Sequence, residues 1–217
     1  HTPTRRQRQM CIRDRVDSAG VAPAVTDAMS SGIPIIAIDT GVSGADVTSF
    51  VATDNYAVAK VQGAIAATLV NDGDTVIYVT GNQAQSTGQE RRNGFMEAFS
   101  AARPGSKILE VPTEWNSQQA QEGVEAVLNS NSDVKMVVNA WDGGTMGAKA
   151  ALENLGYSAG DVKLVGFDGA SDAIAAMDEG WVHADTAQML YQMGYQGIKA
   201  AAAAAGAAAA AAAAATA

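Results

Sequence analysis

Cysteine is nearly missing from this 217-residue chain: Cys11 is the only one. Everything after it therefore lacks a disulfide framework and a thiolate metal site. Histidine is almost as scarce, with His1 at the start and His183 as the single internal one. No Ser-His or Cys-His pair can be assembled without His183, and clustered zinc ligands do not occur. His183 falls within a predicted strand and reads as structural. The glycine loops that cradle phosphates are missing too: there is no G-x-G-x-x-G and no G-x-x-x-x-G-K-[ST]. No apolar run is long enough, or varied enough, to read as a membrane-spanning helix. Basic residues are few, with 14 Lys and Arg against 23 Asp and Glu. Five of those Arg and one Asp lie in residues 1–15, so residues 16–217 hold nine basic against 22 acidic side chains. So acidic a body argues against nucleic acid as its partner.

What is present starts with a hydrophobic fraction of 47%, enough for a globular core. The two ends differ from the rest. Residues 1–15 are basic, have no apolar period, and resemble the translated adaptor read found at broken ends of assembled sequences. They are expected to be non-native; a basic DNA-binding arm is the other reading. From residue 200 the chain is almost pure alanine, broken by Gly206 and Thr216. Alanine is the best helix former, yet such a face has nothing distinctive to pack, and residues 200–217 read as a low-complexity tail.

Between the ends, apolar periodicity alternates regularly. Helices are predicted over residues 21–31, 55–70, 86–102, 117–129, 143–155 and 171–178, with a last one starting near Met189. Strands are predicted over residues 33–38, 50–52, 75–80, 107–111, 134–140, 162–167 and 182–186. This order implies an α/β fold with a parallel, doubly wound sheet and helices on both faces. In open α/β sheets, ligands bind outside the carboxyl ends of the strands. Here those ends carry Asp39, Trp115, Trp141, Asp168 and Gln188, and Arg91 follows in the helix after the third strand. Aromatic faces suit the C–H faces of a sugar ring, and carboxylates and a guanidinium suit its hydroxyls.

Each residue also has a plainer reading. Asp39 before Gly41 and Asp168 before Gly169 could be turn residues. Arg91 and Arg92 sit early in a helix, where basic residues oppose the dipole. They point about 100° apart, so only one can face a cleft. Trp115 and Trp141 could pack on the sheet rim, and Gln188 could cap a backbone group. Trp181 opens a strand at the opposite edge and reads as structural. Asp39 and Asp168 could in principle act as an acid–base pair. Arg91 beside them should keep both ionised and poor as acids, so an enzyme is not expected.

The segments Gly-Ile-Pro-Ile-Ile-Ala-Ile-Asp at 32–39, Ala-Thr-Asp-Asn at 52–55, Glu-Arg-x-x-Gly-Phe at 90–95, Val-Gly-Phe-Asp-Gly at 165–169 and Thr-Ala-Gln at 186–188 together resemble one family. They are similar to the periplasmic sugar-binding proteins of ABC transporters, the class that contains ribose-binding protein. The resemblance covers residues 16–199. It implies a two-lobed fold with an incomplete N-terminal lobe, a chain truncated at both ends, and hinge closure on a monosaccharide or polyol. Residues 16–53 would be part of the N-terminal lobe, 54–188 the C-terminal lobe and 189–199 a return helix. The crossing points would fall at Thr53–Asp54 and Gln188–Met189. Asp39, Thr53, Asn82, Arg91, Trp115, Trp141, Asp168 and Gln188 would bind the ligand, with Trp115 and Trp141 sandwiching or edging the ring. Trp141 stands where the ribose binder has Asn, which points away from ribose itself, and Asn82 stands where an apolar residue is expected.

The same resemblance implies no cofactor, a monomer, a membrane permease as partner, and a periplasmic or lipid-anchored extracellular location. The lac repressor family shares the fold and several of these segments. The effector-binding core of such a regulator is therefore the alternative.

Overall fold

This computed structural model describes residues 17–215. The basic segment at residues 1–15, with Cys11 and His1, lies outside them. Helix α1 (Ala22–Ser30) leads to a two-stranded parallel sheet of β1 (Ile36–Ile38) and β2 (Ser49–Val51). Then come α2 (Asn55–Thr68), β3 (Thr75–Val79), α3 (Ser86–Ala102), β4 (Lys107–Val111), α4 (Ser117–Ser130) and β5 (Val134–Asn139). The chain continues through α5 (Asp142–Asn154), β6 (Lys163–Asp168), α6 (Ser171–Asp178) and β7 (Val182–Ala187) to α7 (Leu190–Ala215).

The second sheet has five strands in the order β4-β3-β5-β6-β7, every neighbouring pair parallel. The chain reverses its direction of winding between β3 and β5, so the crevice at their carboxyl ends is the expected place for a ligand. Helix α2 packs on α3, α4 on α5, and α5 on α6. Right-handed crossovers put these two groups on opposite faces of the sheet. Burial follows: all five residues of β3 are buried, and Met136, Val137, Val138, Leu164 and Val165 are fully covered. Such continuous apolar strands are what a parallel sheet covered on both faces demands. Tyr78 stacks on Phe95 at 4.5 Å, and Phe95 on Phe99 at 5.2 Å, fixing α3 to β3.

The small sheet is different. Its strands have three residues each, and α7 rather than a sheet neighbour lies against them. Gly197 makes that contact possible, since a Cβ there would stand 2.4 Å from Ile38 Cδ1. The predicted strand over residues 33–38 shortens to its last half. Pro34 has no amide to give a ladder, and the Ile35 amide bonds the Thr48 hydroxyl at 3.1 Å instead. The alanine tail continues α7 to Ala215, as its helix propensity allows.

Candidate functional site

A cleft of about 430 Å³ opens where the small sheet meets the carboxyl ends of the large one. It is lined by Asp39, Thr40, Gln85, Thr87, Arg91, Trp115, Trp141, Asp168, Gln188 and Leu190. Six of the eight residues expected from sequence are among them.

Arg91 lies at its floor, 3% exposed. Its Nε donates to Asn55 Oδ1 at 2.9 Å. Its Nη1 donates to the Ala140 carbonyl at 2.6 Å and to Asp168 Oδ1 at 3.0 Å. The guanidinium also stands 3.9 Å over the Phe167 ring and 5.7 Å over Trp115, a stacked placement that suits Arg. The neighbouring Arg92 turns away and grips Glu110 with two 2.6 Å bonds. Only one of the two faces the cleft, as the helical period requires.

Asp168 ends β6. Its Oδ1 accepts from Arg91 and also from Gln188 Nε2 at 2.6 Å. Both of these bonds fall on one oxygen. Arg91 was expected to hold this carboxyl low. Burial instead raises its pKa, and Arg91, Gln188 and the Asp142 backbone amide only oppose that rise. Desolvation penalises the charged form more than one guanidinium repays.

Gln188 links two segments. Its Oε1 accepts from Thr53 Oγ1 at 2.6 Å while its Nε2 serves Asp168. Thr53 follows β2 of the small sheet, and Gln188 follows β7 of the large one. An unbroken chain of hydrogen bonds thus runs Thr53–Gln188–Asp168–Arg91–Asn55. Thr53 supports the cleft through this chain rather than lining it.

Asp39 enters from the small sheet. Its amide donates to the Val51 carbonyl at 2.9 Å, and its Oδ2 accepts from Thr40 Oγ1 at 2.9 Å. The Thr40 and Thr87 hydroxyls meet at 3.0 Å, and Gly41 N donates to Ser86 Oγ at 3.1 Å. Ser86 and Thr87 open α3, so the turn after β1 is tied by hydroxyls to the helix that carries Arg91.

Three non-glycine residues have positive φ among the described residues: Asp39 at 71°, Trp115 at 57° and Asp168 at 135°. All three line the cleft. Such backbone costs on the order of 1–3 kcal/mol at each position and gathers at ligand sites.

The two tryptophans form a corner. Their rings are 5.3 Å apart at 88°, edge to face. Trp115 lies over Gly81, where any Cβ would meet the indole at about 2 Å, and its Nε1 donates to Gln85 Oε1 at 2.6 Å. Trp141 is buried to 9% exposure against Gly143 and Gly144 and joins the main core. Packed against each other at right angles, they do not sandwich a ring. An edge or single-face contact is the geometry on offer.

Asn82 falls outside this group. Its side chain bonds Glu114 and accepts from the Ala84 amide at 2.7 Å, so it shapes the loop after β3. Sequence reasoning missed Thr40, Gln85, Thr87 and Asn55. Thr87, in the first turn of a helix, gave a weak signal; Gln85 gave none. Residues 156–160 also spell G-x-S-x-G, the spacing of a nucleophile elbow. That motif needs a strand-to-helix turn. Here it joins α5 to β6, and the Ser158 amide donates to Asp161 Oδ2 at 2.7 Å. Trp181 and His183 are structural: Lys149 stands 5.2 Å over the indole, and the imidazole meets Lys163 Nζ at 3.2 Å and the Trp181 carbonyl at 3.1 Å.

Residues 12–209 match the model of the periplasmic binding protein domain. The chain is 31% identical over 198 residues to the ribose import binding protein of Escherichia coli (strain K12), covering 91% of this chain and 66% of that protein. It is 31% identical over 192 residues to the D-allose-binding periplasmic protein of the same organism, covering 85% and 61%. It therefore spans about two thirds of the length of such relatives, or slightly less. A solved ABC transporter solute-binding protein from Burkholderia multivorans superposes with a TM-score of 0.80 at 27% identity, covering 90% of this chain and 74% of that one.

Proposed function

The chain belongs to the periplasmic binding protein family, and on that premise we propose that it is the substrate-binding component of an ABC-type sugar importer. Its ligand is a monosaccharide or polyol, held in the cleft between the two sheets and enclosed by hinge motion. One observation carries this reading: Asp39 from one sheet and Arg91 with Asp168 from the other line a single cleft beside an aromatic corner. Two carboxylates and the Nη2 end of Arg91 match a neutral ligand rich in hydroxyls, which both donate and accept. The Trp115–Trp141 corner matches the C–H edge of a ring. A volume of about 430 Å³ lies within the range of small-molecule sites.

Residues 16–53 and 189–199 form one lobe in this reading, and residues 54–188 the other. The crossings at Thr53–Asp54 and Gln188–Met189 act as hinges, with the Thr53–Gln188 bond joining them. A membrane permease receives the closed, loaded protein, which acts as a monomer in the periplasm or on a lipid anchor. The ribose and allose binders among its relatives support this class of ligand. The role is binding, not turnover.

The test is calorimetric titration with D-ribose, D-allose, D-fucose, D-tagatose and myo-inositol. One-to-one binding of at least one, with a change in tryptophan emission, is expected. No heat with any of them at millimolar concentration would remove the sugar-binding reading.

A further inference from the structure

Behind the cleft lies a group of side chains that makes no contact with it. Asp142 opens α5 and is 2% exposed. Its Oδ1 accepts from the Phe167 amide at 3.1 Å and its Oδ2 from the Ala170 amide at 2.7 Å. These two amides bracket Asp168 and Gly169, the turn whose φ values are 135° and 77°. One buried carboxyl thus holds both ends of the turn that presents Asp168 to the cleft.

Asp185 of β7 stands next to it. In the ladder Asp185 faces Gly166 of β6. A Cβ on Gly166 would lie 2.6 Å from Asp142 Oδ1 and 3.2 Å from Asp185 Cγ, so the missing side chain is what lets the two carboxyls approach. Both oxygens of Asp185 are buried with no hydrogen bond of full geometry among the described residues, although the Gly169 and Thr186 amides lie near enough to favour its charge. Two buried carboxyls this close penalise each other's charged form, and no cation stands between them to offset it.

We propose that Asp142 is a positioning residue for the ligand, clamping the Asp168 turn through the Phe167 and Ala170 amides, and that a proton shared with Asp185 keeps it there. This rests on the sugar-binding reading of the cleft. Burial is the largest cause raising both carboxyls, Asp142 to about 7; Asp185 raises Asp142 further through charge and a hydrogen bond, while that bond and the Gly169 and Thr186 amides hold Asp185 lower. The proton belongs to the pair. Their shared hydrogen bond raises Asp142 and lowers Asp185, so the proton resides on Asp142, which donates to Asp185. Above neutrality the proton leaves, two like charges face each other beside Asp168, and the clamp loosens.

The charged surroundings are few. Asp168 lies on β6, with Arg91 of α3 bonded to it. Thr145 of α5 is 3.5 Å from Asp142 Oδ1. On β7, His183 is engaged with Lys163 of β6. Asp172 of α6 accepts from its neighbour Ala173, and Lys149 of α5 is held by Glu153 and Glu179. No cation among these bonds the pair.

The test combines two readouts on the whole chain. In the first, the tightest sugar of the five-sugar panel is titrated at pH 5.5, 7 and 8.5. Wild-type affinity should fall about tenfold across that range, Asp185→Asn should remove the dependence, and Asp142→Ala should bind at least tenfold more weakly throughout. Flat wild-type binding, a slope that survives in Asp185→Asn, or wild-type affinity in Asp142→Ala would each overturn the proposal. In the second, amide hydrogen exchange at Phe167 and Ala170 is compared without sugar at pH 5.5 and 8.5. Faster exchange at the higher pH, beyond both the intrinsic rise of an unstructured peptide and the change at the globally opening core amide of Ile77, supports the clamp in wild type and should vanish in Asp185→Asn; equal behaviour overturns it. Should none of the five sugars of that panel bind, the sugar reading fails alone and the exchange data still decide the clamp.

Discussion

Two strands end in an aspartate with left-handed backbone, and the two turns are held in different ways. The turn at Asp39 closes a three-residue strand and is fastened by hydroxyls from Thr40, Ser86 and Thr87. The turn at Asp168 closes a buried strand and is fastened by charge: Arg91 in front, Asp142 behind, Gln188 at the side. Hydroxyl bonds of this kind contribute roughly 1 kcal/mol and exchange easily with water. A buried charge network is costly to break in part. The turn on the large sheet is thus the more firmly held of the two, as the proposed closure of the small sheet onto it requires.

The sharpest way to break this contrast is Arg91→Ala. It strands the Ala140 carbonyl and leaves Asp168 buried without its cation. Stability should fall by roughly 3–5 kcal/mol, and sugar affinity by at least a hundredfold, read by thermal melting and calorimetry. Unchanged affinity would remove Arg91 from the site. Gly166→Ala comes next. Its Cβ would press on Asp142, whose carboxyl is fixed by two amides and cannot yield freely. A loss of about 1–3 kcal/mol is expected, visible as a lower denaturation midpoint; a neutral result would mean the pair has room to spare.

Proton linkage gives a third, intermediate effect. A carboxyl raised on folding contributes stability that is complete below its unfolded value, about 4. That contribution is lost as pH rises through the folded value, about 7 for Asp142. The melting temperature should therefore decline between about pH 5 and 8, by roughly 4–8 °C for a share of about 2 kcal/mol. Asp185→Asn should flatten that decline. The smallest effect should come from the other turn: Thr87→Ala is expected to cost about 1 kcal/mol or less in affinity. A loss as large as that of Arg91→Ala would erase the distinction between the two turns.

The same contrast explains what the sequence disclosed. The strands of the large sheet are continuous apolar runs, and their helices carry clear periods, so element after element falls within a few residues of its predicted place. The cleft was legible because Asp39, Trp115, Trp141, Asp168 and Gln188 all directly follow strands, a position that topology ties to ligands. Asn82 also follows a strand, but the loop there turns its side chain onto Glu114, and loop geometry is not written in residue order. The Trp115–Trp141 corner depends on Gly81, Gly143 and Gly144 making room, a contact between distant segments. The carboxyl pair was hidden for the same reason: Asp142 and Asp185 are 43 positions apart in sequence and meet only over Gly166. The burial of Asp168 itself reversed the direction expected for it, since desolvation depends on packing that no local pattern reveals.

The central claim is that the two aspartate turns hold one ligand between them. A crystal structure with the tightest-binding sugar of the panel tests it most directly. Ring hydroxyls should lie within hydrogen-bond distance of Asp39, Arg91 and Asp168 together, with one edge of the ring on Trp115 or Trp141. A sugar seated instead in the cavity of about 480 Å³ lined by Phe50, Asp54, Tyr56 and Glu90 would contradict the account.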